Sequence, residues 1–204
     1  MDIVGILEKG GVLVYPLLVL GAWGLIIVVL KAIALRRSRT VDPVVIERIE
    51  GMLLNRKLME ATSYCQERPS PVTRMLHAAI VNYEKPEAEL KEILEEAGRQ
   101  EIPGIRSHLS TLGTIASVAP LLGLLGTVLG MISVFATLSG ESNIDPSMLA
   151  GGISEALVTT ALGMIIAMPA LACYNYFATR IQNLIIEMER VSLHMVSVLK
   201  RLAA

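Results

Sequence analysis

Three long apolar runs, separated by polar stretches, set the pattern of this chain of 204 residues. Residues 12–30 pass 19 positions without a charged side chain, residues 109–140 pass 32, and residues 156–179 pass 24. Each meets the ~20 residues that a helix rising ~1.5 Å per residue needs to cross ~30 Å of hydrocarbon. Nothing alternates with period 2 in units of ~10 residues, so the pattern does not describe a membrane β-barrel. The expected fold is all-α: an integral membrane protein with three transmembrane helices, a helical cytoplasmic segment, and long helices extending beyond the bilayer.

The expected divisions are a short outer N-terminus at 1–11, a first span at 12–35 and a polar helical segment at 36–108. A second span at 109–138, a turn at 139–147, a third span at 148–179 and a C-terminal helix at 180–204 follow. The first run reads as a retained anchor. Asp2, Glu8 and Lys9 replace a basic leader, and the run exceeds a signal-peptide core. Within 36–108, Pro43 after Asp42 predicts a helix start, with Val44, Ile46, Ile49, Met52 and Leu53 as its apolar stripe. Pro69 and Pro71 break the chain before a helix from Pro71 to about Tyr83. Pro86 opens another, whose charges from Glu87 to Arg99 mark a solvated face. A segment of this size holds only a small core, and predicts packing against the tail or other subunits.

Composition agrees with the pattern: 53% of residues are hydrophobic, only 4% are aromatic, and mean hydropathy is +0.58. The net charge of −1 says little, but the placement of Lys and Arg says much. Residues 36–108 hold 12 of them, beginning with Arg36, Arg37 and Arg39, whereas 139–150 hold none and include Glu141 and Asp145. The positive-inside rule puts the N-terminus outside, 36–108 and the C-terminus inside, and 139–147 outside. The 12 basic residues of the inner segment are matched by 12 acidic ones, which argues against nucleic-acid binding. Cys65 and Cys173 fall in different compartments, so neither a disulfide nor a zinc site is expected.

The second span carries a stripe of small residues: Ala116, Pro120, Gly123, Thr127, Gly130, Val134 and Thr137. Gly126 and Gly130 form a GxxxG pair. The third span repeats the device with Ala156, Thr160, Gly163, Ala167 and Ala170. Such stripes let helices approach closely. Thr127 and Thr160 can return their hydroxyls to their own backbone, or line a polar passage. Glu155 is the ionisable residue embedded in the third helix. With a start near Pro146 it lies nine residues, or ~13 Å, inside, where acids are costly and usually functional.

These residues carry a specific resemblance. Residues 122–131 (LGLLGTVLGM), 152–163 (GISEALVTTALG) and 169–175 (PALACYN) resemble the paired signature of the MotA/TolQ/ExbB proton-channel family, and the three-span plan resembles its ExbB/TolQ branch. The resemblance implies that Thr127 and Thr160 face the pore, that Glu155 is the family's acid, and that Pro120 and Pro169 are its helix-bending prolines. It implies a homopentameric ring in a bacterial inner membrane. The ring would enclose a single-span ExbD/TolR-like partner bearing a membrane aspartate, and a TonB/TolA-like transducer would receive the work. No cofactor or metal is implied. The second-span motif lacks tryptophan, and Ser154 stands where alanine usually precedes the acid, so the choice between ExbB and TolQ stays open. The rival reading is a structural membrane scaffold without ion conduction. An intramembrane enzyme is disfavoured, since His77, His108 and His194 all fall outside the spans.

Overall fold

A computed structural model describes residues 11–37, 41–140 and 146–203. Of the expected outer N-terminus at 1–11 and turn at 139–147, residues 1–10 and 141–145 lie outside the described residues. Among the described residues the regular structure is wholly helical: α1 Val14–Arg37, α2 Pro43–Leu54, α3 Leu58–Glu67, α4 Pro71–Val81, α5 Glu87–Arg106, α6 Leu109–Gly140 and α7 Pro146–Ala203. Three helical stretches are long and apolar enough to cross a membrane. The third span and the C-terminal helix are continuous, one helix of 58 residues, as expected of long helices extending beyond the bilayer.

The chain divides into two compact units, residues 1–30 with 108–176, and residues 31–107 with 177–204. The second unit is the polar one. Its core joins Ile49 and Leu53 of α2, Ala61 and Cys65 of α3, Met75, Leu76 and Ile80 of α4, and Leu90 and Leu94 of α5. The tail of α7 adds Met188, Met195, Val196, Val198 and Leu199. The tail therefore completes the small core that the polar segment cannot close alone. One expectation fails in detail. Val44 is 65% exposed, and Val45 packs against the core with Ile46 and Met52. At the first turn the buried stripe is shifted by one residue.

Local chemistry explains the boundaries. Asp42 caps α2 by accepting from the Val44 N–H, with Pro43 at the first helical position. Arg56 is left-handed (φ 58°), and the Arg56 and Lys57 N–H groups bond back to the Leu53 and Met52 carbonyls. This is a Schellman closure with arginine where glycine is usual, and it separates α2 from α3. A reciprocal box caps α4. Ser70 Oγ accepts from the Thr73 N–H at 3.1 Å, and Thr73 Oγ1 accepts from the Ser70 N–H at 2.7 Å. Thr73 is buried yet satisfied, because its hydroxyl also donates to the Arg68 carbonyl at 2.7 Å. Arg74 grips Glu101 of α5 with two N–H groups, at 2.7 and 2.5 Å, and the bonding raises the guanidinium pKa. His108 is also left-handed (φ 59°) and lies between α5 and α6. His77 meets Gln66 at 3.1 Å, and His194 meets Glu50 at 3.1 Å, both within the polar unit.

Candidate functional site

In the first unit, α6 and the start of α7 form a close seam whose contacts descend in step, as antiparallel helices require. Gly152 faces Val134, Ala156 faces Gly130, Thr159 faces Gly126, and Thr160 and Gly163 face Gly123. A methyl group on Gly163 would lie 2.6 Å from the Ala119 carbonyl oxygen, and one on Gly123 would lie 3.1 Å from the backbone of Thr159 and Thr160. These two contacts are backbone on backbone, so no side chain can swing aside. Next to the seam, Leu17 of α1 is buried against Ala119 and Ala167, with Leu122, Leu162 and Ile166 around them. Gly21 and Gly24 of α1 lie against Ile166 and Ile115.

The sequence stripe thus has a partner, and it is the chain's own third span. The buried face runs through Ala116, Ala119, Gly123, Gly126, Gly130 and Val134. Pro120 and Thr127 lie at its edge, only partly buried. On α7 the buried members are Ala156, Thr159, Gly163, Ala167 and Ala170, with Thr160 partly buried. Thr159 had no role in the sequence reading, yet it is the buried threonine of this seam, packed on Gly126 and donating to the Glu155 and Ala156 carbonyls at 3.0 and 2.9 Å. A step of 3 from Ala156, in place of 4, would have picked it out. Pro120 and Pro169 lie within α6 and α7, and each withholds the N–H that its ladder would offer the carbonyls of Ala116 and Ile165.

The two candidate pore threonines have different duties. Thr127 donates locally, to the Leu124 carbonyl at 2.6 Å. Thr160 donates across the seam, to the Gly123 carbonyl at 2.9 Å, one turn below Thr127. Each hydroxyl has committed its proton to backbone, so what each can still offer is an oxygen acceptor. Glu155 lies nine residues into α7, partly buried, with its carboxylate against Gly11. A methyl group on Gly11 would overlap Glu155 Oε1 as it stands, and Gly11 is left-handed (φ 62°) three residues before the start of α1. The left-handed backbone favours glycine there, whereas the end of the Glu155 side chain is free to swing aside. The arrangement places two acceptor hydroxyls and one carboxyl along the two helices, and Glu155 is the one Asp, Glu, Lys, Arg or His within residues 109–140 and 146–179.

Residues 67–190 match the model of the MotA/TolQ/ExbB proton channel family. A biopolymer transport protein ExbB homolog of Methanothermobacter thermautotrophicus is 31% identical over 185 residues, covering 90% of this chain and 66% of that protein. The biopolymer transport protein ExbB-like 3 of Synechocystis sp. is 32% identical over 175 residues, covering 82% and 81%. The Tol-Pal system protein TolQ of Haemophilus influenzae is 39% identical over 104 residues, covering 50% and 46%. The chain spans just under two thirds of the first of these relatives and under half of the last. Thr127, Glu155 and Thr160 all fall within the family match.

Proposed function

This chain belongs to the MotA/TolQ/ExbB proton channel family, and from that we propose that it is the multispan subunit of a proton-driven motor of the cell envelope. Copies of it, five by resemblance, form a ring around a single-span ExbD/TolR-like partner. A TonB/TolA-like transducer carries the work outward. Residues 36–108 and the C-terminal tail lie in the cytoplasm of an inner-membrane assembly, with the N-terminus and the 139–147 turn in the periplasm. The observation that carries this reading is the family match over residues 67–190, which takes in Thr127, Glu155, Thr159 and Thr160.

The chemistry assigns the parts. Residues 109–140 contain no group that can titrate, and Glu155 is the one acid in the membrane stretch of α7. The proton therefore rides mainly on a partner acid, while Thr127 and Thr160 offer acceptor oxygens along its way. Glu155, close to the outer end of its helix, tunes the entrance. One charge falling through ~100 mV releases ~2.3 kcal/mol, enough to bias a movement of partner against ring. Whether the work serves nutrient uptake, envelope maintenance or motility is set by the partner that receives it. The test is proton flux in liposomes holding the purified chain, with and without its single-span partner. Potential-driven flux that needs both supports the motor. Absence of flux with an assembled pair would leave the scaffold reading.

A further inference from the structure

Among the described residues, Lys31 is the one charged side chain that is buried. It is the one charged side chain in the apolar stretch Val14–Leu35, and only 6% of it is exposed. Its Nζ donates to the Ile105 carbonyl at 2.9 Å and to Ser107 Oγ at 3.4 Å, at the C-terminal end of α5. Both acceptors are neutral, and an ammonium has three N–H groups to place. The partial negative charge of a helix end offsets about half of the lysine charge.

A cavity of about 320 Å³ opens beside Lys31, lined also by Ala34, Leu35, Arg74, Glu101 and Ser107. Arg74 and Glu101 neutralise each other through their paired bonds. The charge left unbalanced in the cavity is the Lys31 ammonium. Two further features identify what would balance it. The apolar stretch of α1 supplies Ala34 and Leu35 as a greasy wall, and the chain runs on at once into Arg36, Arg37 and Arg39. A buried cation where a hydrocarbon-length helix meets a basic cluster matches an anionic headgroup whose tails follow that helix.

We propose that this cavity binds the phosphate group of an anionic phospholipid, with Lys31 as counter-ion and the Ser107 hydroxyl as a second donor. The site shares no residue with Thr127, Glu155 and Thr160, and the proposal stands on binding alone. A free phosphate shares the headgroup chemistry but gains nothing from Ala34 and Leu35.

The test uses the full chain, purified in detergent, stripped of lipid and titrated in native mass spectrometry. The probes are phosphatidylglycerol, phosphatidylcholine and inorganic phosphate. Wild type should retain phosphatidylglycerol about fivefold to tenfold better than phosphatidylcholine, the scale of one lysine at a charged surface. Lys31→Gln should abolish that preference. Ala34→Phe, which crowds the cavity and leaves the Lys31 hydrogen bonds in place, should abolish it too, so a folding defect in the first variant does not decide the matter. Displacement of the lipid by inorganic phosphate alone would uphold a phosphate site and move its source to solution. Equal retention of both lipids by wild type, or an undiminished preference in Ala34→Phe, would overturn the proposal.

Discussion

Thr127 and Thr160 share a residue type and differ in what their loss would do. Thr→Val keeps the shape and deletes the hydroxyl. At Thr127 the lost bond is local, to Leu124, so helix packing should survive within ~0.5 kcal/mol. At Thr160 the lost bond crosses to Gly123, a type of contact worth ~0.6 kcal/mol on average and at most ~1.7 in membranes. Thr127→Val is therefore the cleaner probe of conduction. We expect it to lower proton flux with unchanged resistance to detergent unfolding, whereas Thr160→Val lowers both. Full flux in the double variant would reduce both threonines to packing. Cys65 gives a second expectation at this scale. It is buried in the polar unit, and burial pushes its thiol up to about 11. Raising the pKa by about two units cuts the thiolate at neutral pH ~100-fold. Alkylation of the folded chain should be slow on either side of a membrane and rise sharply on unfolding. Fast labelling of folded protein at pH 8 would show that α3 opens readily.

At the scale of elements, the seam makes glycine substitutions diverge in sign. Alanine in a helix interior gains up to ~1 kcal/mol over glycine when nothing opposes it. Gly151 has open space around its would-be methyl, so Gly151→Ala should hold or raise the melting temperature. Gly163→Ala must push α7 off the Ala119 carbonyl, so it should lower the melting temperature and loosen the α6–α7 pair in disulfide-trapping experiments. Unchanged trapping would mean the two helices do not pack at this distance. The existence of the stripe was legible because steps of 3 and 4 place Ala116, Gly123 and Gly130 on one face whatever they meet. Its partner was not, since a glycine face looks the same whether the facing helix is the chain's own or another copy's. The α2–α3 break hid for a different reason. Asn55, Arg56 and Lys57 contain neither Gly nor Pro, and the turn is made by backbone bonds onto Met52 and Leu53. Lys31 was easy to pass over as the mere end of an apolar run, because its acceptors at Ile105 and Ser107 lie more than 70 residues away.

For the whole molecule, sidedness needs a better reporter than Cys65, whose silence would follow from burial alone. In a chain without native cysteines, Met59→Cys places a thiol on a residue that is 86% exposed in the polar unit. Ser142→Cys places one in the short connection. Impermeant reagent applied to intact cells should modify Ser142→Cys and spare Met59→Cys, and the reverse result would invert the topology. The way the polar unit is assembled from sequence has a consequence during synthesis. Its four short helices leave the ribosome early, but the strip that covers them, Met188 to Leu199, follows only after two further apolar spans. Until then Leu53, Met75, Leu76 and Leu94 have an incomplete lid. A chain interrupted after residue 180 should thus insert in the membrane yet present an open apolar face to chaperones and proteases. Pulse-chase of such a truncation should show rapid turnover, and a long-lived product would mean the four helices close on their own. On that expectation the strip from Met188 to Leu199 is a seal that follows late in synthesis, and copies lacking it are the ones turned over first.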